Sequence, residues 1–190
     1  MTQIGRAALV VVDVQQGFDD ESWGPTTNWP GCEENVARLV AAWTERGDPI
    51  VVVRHDSVRD DSPLRPDHPG NTLIAPVAAA PADLFVTKTV NSAFYGTPDL
   101  EQWLRAEGIE GIVVCGIQTN MCVETTARMG GNLGFDVVVP LDATRTFDLA
   151  GPDGTVVPAD DLVRATAVNL HGGGFARVTT TAAVLDDFVG

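Results

Sequence analysis

The chain has 190 residues, of which 44% are hydrophobic and 20% charged, a composition that suits one compact domain over residues 1–190 and excludes a disordered chain. The formal net charge is -14 at pH 7 and the pI is about 4.3. Because such a surface repels phosphate backbones and anionic lipids, we expect neither a nucleic-acid partner nor a membrane partner.

Predicted strands and helices alternate along the chain. The valine-rich run at 7–12 is typical of a central parallel strand that is buried on both faces. A helix follows, in which Val36, Leu39 and Trp43 recur at helical spacing. Further on, Thr97 is predicted as a helix N-cap, with Pro98 in the first turn. In chain order the predicted strands lie at 7–13, 50–53, 84–88, 111–115, 135–139 and 176–179, and the predicted helices at 33–47, 97–108, 121–132 and 158–171.

This alternation predicts an α/β fold, with three αβα layers around a doubly wound, mostly parallel sheet of six strands. In such a sheet, ligands bind beyond the carboxyl ends of the strands, where the strand order reverses. Asp13 ends the first predicted strand, Lys88 ends the third, and Cys122 follows the fourth. Three reactive side chains that are remote in sequence are therefore predicted to meet at one edge of the sheet.

Cys122 lies in a turn from a strand into a helix. A thiol there is close to unpaired backbone amides and to the positive end of the helix dipole, so we expect its thiolate to be favoured. The same amides are able to bind the oxyanion of a tetrahedral intermediate. The alternative is that Cys122 is a small buried hydrophobic residue, which is the interpretation that we give to Cys32 and Cys115.

Asp13 and Lys88 each allow two interpretations. A carboxylate at the end of a buried strand needs a partner, which marks Asp13 as a candidate functional group, although an aspartate there can also brace a loop. Lys88 can similarly be the last residue of an exposed strand. Together at one edge, the two side chains supply a base and a cation beside the nucleophile Cys122.

The cysteine content and the first apolar run indicate the compartment. Three cysteines are too few and too scattered for a disulfide framework. The run at 7–12 is far shorter than the roughly 20 residues that span a bilayer, and no basic leader precedes it. We therefore expect a cytoplasmic protein in a reducing compartment, with at least one thiol free for chemistry.

Three segments, at 10–18, 88–97 and 114–127, carry a resemblance to a known family. In order, spacing and strand context the sequence resembles the isochorismatase-like cysteine hydrolase superfamily, which includes nicotinamidases and related amidohydrolases. The similarity spans nearly the whole chain, and the three motifs are specific as a set.

The resemblance implies that Asp13, Lys88 and Cys122 form a catalytic triad. It also implies a cis peptide between Ile117 and Gln118, which would aim the amide of Gln118 beside that of Cys122 as an oxyanion hole. The positions that the resemblance assigns to a substrate pocket are Phe18 and Tyr95, with Gln16, His55, Phe94 and Met121 as further candidates, and ordinary core or rim packing is the alternative for each.

The sequence departs from the metal-binding nicotinamidases after the second strand. Those relatives carry an Asp-x-His element and a later histidine, whereas this chain has His55 before Asp56 and then His68. Because the order of ligand types differs, we expect no metal and no cofactor, and nicotinamide becomes a less favoured substrate. The segment at 153–159 resembles a loop of streptothricin hydrolase-like enzymes, which points to a lactam or a small amide.

The favoured function is a thiol-dependent hydrolase that cleaves an amide or lactam C–N bond of a small molecule through a thioester on Cys122. True isochorismatases cleave a vinyl ether and lack the nucleophilic cysteine, so Cys122 favours acyl chemistry. Two alternatives stay open: a hydrolase of a vinyl ether or ester in the same pocket, and a catalytically silent binding or redox protein. The resemblance also implies a homo-oligomer, as a dimer or larger.

Overall fold

Strand β1 (Ala7–Val12) forms the centre of the sheet, and all six of its side chains are buried. Successive side chains of a strand point to opposite faces, so Leu9 and Val11 pack into one hydrophobic cluster while Val10 and Val12 pack into the other. The valine-rich run therefore serves two cores at once, which is why it lacks polar alternation.

The computed structural model describes residues 6–187; residues 1–5 and 188–190, the two ends of the predicted domain, lie outside the described residues. The strands after β1 are β2 (Ile50–His55), β3 (Leu84–Lys88), β4 (Gly111–Ile117), β5 (Asp136–Pro140), β6 (Thr144–Arg145), β7 (Leu149–Ala150), β8 (Val156–Val157) and β9 (Arg177–Thr179). The helices are α1 (Gly31–Arg46), α2 (Ala75–Ala78), α3 (Leu100–Ala106), α4 (Glu124–Asn132), α5 (Ala159–Gly172) and α6 (Thr181–Asp186).

The main sheet has the strand order β3-β2-β1-β4-β5-β9, and β6 pairs with the end of β4. All its pairings are parallel. The chain moves outward from β1 to β3 and then returns to place β4 on the other side of β1, so the strand order reverses between β1 and β4. This is the switch point at which parallel sheets bind ligands.

Helices cover both faces of the sheet. Val36 and Trp43 of α1 pack in the same cluster as Val184 of α6. On the opposite face, Leu104 of α3 and Leu170 of α5 belong to the second cluster. The structure thus confirms the predicted three-layer αβα fold with a mostly parallel sheet. No helix among residues 6–187 is long and apolar enough to cross a membrane.

The start of α3 differs from the prediction. Asp99 is the N-cap, and its carboxylate accepts a hydrogen bond from the amide of Gln102 at 3.0 Å. Thr97, the predicted cap, instead pairs with Thr87 of β3, and the bond between Thr97 and Pro98 is cis. The tertiary pairing of Thr97 with an edge strand overrides its local capping pattern, and the cap lies two residues later at Asp99.

Candidate active site

The carboxyl end of β1 places Asp13 beside Lys88 from β3. The Nζ atom of Lys88 lies 2.5 Å from Oδ2 of Asp13, and both side chains are inaccessible to solvent. Asp13 has a positive φ of 53°, a conformation that aspartate tolerates better than most residues, and it turns the chain out of the sheet. Its second oxygen, Oδ1, is buried and has no hydrogen-bond partner among residues 6–187.

Cys122 completes this group from the end of β4. Its sulfur lies 3.3 Å from Nζ of Lys88 and 3.9 Å from Oδ1 of Asn91. The side chain is 8% exposed and lines a cavity, so the sulfur is reachable without being open to bulk solvent. The three side chains predicted to meet at one edge of the sheet are therefore in contact there.

The protonation state of Cys122 differs from the expectation drawn from its turn. Burial raises the pKa of the thiol to about 12, and the negative charge of Asp13 adds to this, while Lys88 acts in the opposite direction. This direction favours the thiol over the thiolate at neutral pH. A helix start favours a thiolate only where solvent or cations dominate, and here a carboxylate and the protein interior surround the sulfur.

A tight turn carries the chain from β4 to Cys122. Gly116 has a φ of 120°, and a Cβ there would collide with the carbonyl oxygen of Val12 in the neighbouring strand. The peptide bond between Ile117 and Gln118 is cis, as predicted, and the turn continues as one π-helical segment, Thr119–Val123, before α4. Gln118 and Cys122, the predicted oxyanion-hole residues, both line the cavity.

His55 ends β2 next to Lys88 of β3, and the two residues are partners in the parallel register. Its Nδ1 atom lies 3.2 Å from Nζ of Lys88. Gln15 holds the backbone of His55 from both sides, since Oε1 accepts from the amide at 2.9 Å and Nε2 donates to the carbonyl at 3.1 Å. Gln15 was not among the predicted pocket residues, yet it is buried, whereas the predicted Gln16 is exposed.

The cavity above these residues has a volume of about 510 Å³. Phe18 and Trp23 form one wall, with ring centroids 5.0 Å apart, and both rings pack on Phe147. Arg145 stabilises this wall from behind by donating to the carbonyl of Phe18 at 3.0 Å. The remaining lining residues include Leu64, Met121 and Leu149 among the apolar ones, and Ser57, Arg59, Asp61, Ser62 and Asn91 among the polar ones.

The six predicted pocket residues do not share one location. Phe18, His55 and Met121 line the cavity. Gln16 is exposed on the short helical turn Gln16–Asp19, Phe94 is packed in the core against Phe135, and Tyr95 is 73% exposed in a separate shallow depression. Gln16, Phe94 and Tyr95 therefore do not line this cavity, and for Phe94 the alternative of core packing applies.

One group of possible metal ligands occurs among residues 6–187. Atoms of Asp13, His55 and Cys122 lie within 4.8 Å of one another. The ammonium of Lys88, however, contacts all three, at 2.5, 3.2 and 3.3 Å respectively, and would repel a cation at their centre. The group of Asp13, His55 and Cys122 therefore does not fit a metal. His68, the other histidine named above, accepts a hydrogen bond at Nδ1 from the amide of Gly70.

The comparisons with known proteins agree with this geometry. A family model described as the Isochorismatase domain matches residues 7–183. The chain is 36% identical over 184 residues to the isochorismatase family protein YrdC of Bacillus subtilis, covering 97% of each chain. The chain belongs to the isochorismatase family. A solved isochorismatase-family hydrolase from Chromobacterium violaceum superposes with a TM-score of 0.89 at 40% identity, covering 97% of this chain and 94% of the other.

Two further isochorismatase-family relatives bear on the chemistry. Streptothricin hydrolase of Streptomyces noursei is 35% identical over 160 residues, which cover 83% of this chain and 57% of that protein. A cysteine hydrolase from Pseudomonas syringae superposes with a TM-score of 0.86 at 26% identity, covering 100% of this chain and 96% of the other. The chain is thus similar to hydrolases with different names within one family.

Proposed function

We propose that this isochorismatase-family hydrolase cleaves the C–N bond of a small amide or lactam, with Cys122 as the nucleophile. The observation that carries the proposal is the contact group of Asp13, Lys88 and Cys122, of which Asp13 and Cys122 line a cavity. A buried carboxylate with one unpartnered oxygen, next to a buried thiol, is suited to accept the proton of that thiol. The likeness to streptothricin hydrolase supports a hydrolytic reaction.

The first half of the reaction begins with proton transfer. Because the thiol pKa is about 12, attack at neutral pH requires a base, and Asp13 takes the proton as the sulfur bonds to the substrate carbonyl carbon. The cation of Lys88 stabilises the sulfur while its charge is negative. The amides of Gln118 and Cys122 receive the oxyanion. Protonated Asp13 then passes its proton to the departing nitrogen, the C–N bond breaks, and a thioester remains.

The second half of the reaction returns the enzyme to its starting state. Asp13, again ionised, removes a proton from water as the oxygen of that water bonds to the thioester carbon. The C–S bond breaks, the carboxylic acid leaves, and the proton on Asp13 returns to the sulfur of Cys122. One water is consumed, and no other co-reactant is required.

The surroundings of the reaction also form part of the proposal. All three cysteines are free thiols, which supports a reducing, cytoplasmic location.

The partner is a small molecule, because the cavity of about 510 Å³ lies in the range of small-ligand sites. Exposed Val90 and Tyr95, 46% and 73% accessible, lie in one depression and support the expected homo-oligomer, which sedimentation velocity tests.

The proposed function is tested by a screen of small amides, lactams and ureides for release of ammonia or amine. We expect the wild-type protein to turn over at least one class and Cys122→Ala to lose all measurable turnover. Cys32→Ala is the matched control, because Cys32 is a buried residue of α1 that does not line the cavity. Cleavage of esters or vinyl ethers alone would favour the alternative of a non-amide hydrolase. Full activity of Cys122→Ala would overturn the proposal that Cys122 is the nucleophile.

A further inference from the structure

The Lys88 ammonium has three N–H groups, and three acceptors surround it. They are Oδ2 of Asp13 at 2.5 Å, the sulfur of Cys122 at 3.3 Å and Nδ1 of His55 at 3.2 Å. With its side chain fully buried, Lys88 has no solvent available as a substitute partner. Each of the three contacts therefore contributes to holding the cation against the sulfur.

The contact with Lys88 fixes the protonation of the His55 ring. An ammonium carries donors and no acceptor, so Nδ1 of His55 has to accept. A neutral imidazole that accepts at Nδ1 carries its proton on Nε2. His55 lines the cavity, and no group among residues 6–187 accepts a hydrogen bond from its Nε2 atom. In the His55 ring, Nδ1 is therefore the acceptor bound to Lys88, and Nε2–H is a donor available to a ligand in the cavity.

We propose that His55 positions Lys88 through Nδ1 and donates an Nε2–H hydrogen bond to an acceptor oxygen of the substrate. The substrate class that this donor selects has a carbonyl or carboxylate oxygen beside the scissile C–N bond. The substrate contact rests on the proposed function, whereas the contact with Lys88 stands independently of it.

The backbone around His55 is built to keep the ring in place. Gln15 binds the amide and the carbonyl of His55, and Nδ2 of Asn71 donates to the same carbonyl at 3.1 Å. Both amide side chains are buried. Two buried polar side chains would be costly to retain without partners, and both bind the His55 main chain. Asn71 also donates to the carbonyl of Leu64 at 2.8 Å and to Asp56 at 3.0 Å.

The charges that face His55 keep its ring neutral. Burial lowers the pKa of His55 below its ordinary value of 6.5, and the cation of Lys88 adds to this, whereas Asp13 and Asp56 act in the opposite direction with smaller effect. Asp56 is itself bound by Arg54 at 2.8 Å. Above the lowered pKa the ring accepts from Lys88. Below it, Nδ1 carries a proton and opposes the ammonium, so this positioning is lost in acid.

Two conservative variants separate the two roles of His55. His55→Asn keeps an acceptor oxygen near the Nδ1 position and lacks the distal donor, so we expect kcat to change by less than about threefold and KM to rise roughly tenfold or more. His55→Gln keeps a distal amide donor and lacks the near acceptor, so we expect kcat to fall roughly tenfold to 100-fold. Equal losses in kcat and KM for both variants would indicate a structural role and overturn the proposal.

The pH profile of kcat gives a readout that a structural role would not move. We expect the wild-type acid limb to include the titration of His55 below pH 6.5 and the limb of His55→Asn to shift to lower pH, because asparagine does not titrate. Identical acid limbs in the two proteins would assign the limb to a group other than His55 and contradict the inference.

Nitrogen-15 NMR of the histidine rings tests the tautomer without any substrate. The chain has three histidines, so single replacements of His68 and His171 complete the assignment. His68 is an internal reference for the Nε2–H tautomer, because its Nδ1 accepts from the amide of Gly70 at 3.0 Å. At pH 7 we expect His55 to be neutral and protonated at Nε2. A proton on Nδ1, or a charged ring, would overturn the proposal.

The NMR result and the Cys122→Ala assay together distinguish a failure of the His55 inference from a failure of the proposed function. If Cys122→Ala is inactive and the His55 ring is protonated on Nδ1, the proposed function stands and the His55 inference is wrong. If Cys122→Ala is fully active and the ring carries its proton on Nε2, the contact with Lys88 stands and the hydrolytic mechanism is wrong.

Discussion

The Nζ atom of Lys88 lies 2.5 Å from Oδ2 of Asp13 with both side chains buried, so neither charge can be removed alone without leaving the other unpaired inside the protein. We expect Lys88→Met to lower the free energy of unfolding by about 3–5 kcal/mol, as measured by urea denaturation. The double variant with Asp13→Asn removes both charges and should recover part of this loss.

The matched control for that prediction is the exposed pair of Arg59 and Asp61, whose side chains are 77% and 73% accessible. Arg59→Met should leave the denaturation midpoint nearly unchanged, because solvent screens an exposed pair. If Lys88→Met were as harmless as this control, the buried ion pair would not have the role assigned to it here.

The thiol of Cys122 provides a second prediction, because Asp13 raises its pKa and Lys88 lowers it. Asp13→Asn removes the charge that opposes the thiolate, so Cys122 should react faster with iodoacetamide at pH 8, by about tenfold for each unit by which its pKa falls. The same variant should lose hydrolytic turnover, since the base is absent. Slower alkylation in Asp13→Asn, measured by peptide mass mapping, would contradict the assigned electrostatics.

Gly116 provides a prediction about the path of the chain into the site. Its φ of 120° and the close approach of the Val12 carbonyl leave no room for a Cβ, so Gly116→Ala should destabilise the fold by more than about 3 kcal/mol or prevent folding. Gly172 at the end of α5 has open space around it, and Gly172→Ala should be neutral or slightly stabilising. Thermal denaturation compares the two, and similar melting temperatures would refute the steric argument.

Trp23 tests the cavity wall. Its ring packs between Phe18 and Phe147, and its Nε1 donates to the carbonyl of Gly17 at 2.8 Å. Trp23→Ala should raise KM by roughly tenfold while kcat changes less, because the wall binds substrate in the ground state and the transition state alike. Trp29→Ala is the control, since Trp29 is 59% exposed and does not line the cavity. Equal kinetics for both variants would place the substrate elsewhere.

The contact of the three reactive side chains could be predicted from sequence because the strands that carry them are parallel. Asp13, Lys88 and the turn before Cys122 each follow a strand with a clear apolar pattern. Strands that run in the same direction end at the same edge, so chain order and strand assignment were sufficient to place these groups together.

The cavity walls could not be predicted in the same way, because loops form them through remote contacts. Phe18 reaches its position with the help of Arg145, which is 127 residues away in sequence. Gln15 is buried and binds the His55 backbone, whereas Gln16 is exposed. A local sequence pattern contains no sign of either effect.

The protonation state of the Cys122 thiol also could not be predicted from the local sequence. Position at the start of a helix predicts a favoured thiolate, which is a statement about the local backbone. The pKa of Cys122 is raised first by burial and then by Asp13, a residue more than a hundred positions away. Effects of this kind depend on the assembled interior, and a local sequence pattern does not contain them.

Acid-quench mass spectrometry of the enzyme during turnover of an amide substrate tests the nucleophilic role of Cys122 most directly. We predict that wild-type protein gains the mass of the acyl group on the peptide that contains Cys122, and that hydroxylamine removes it, as expected for a thioester. Wild-type protein that turns over without this added mass, together with a Cys122→Ala variant that hydrolyses the same substrate at the wild-type rate, would contradict the thioester mechanism.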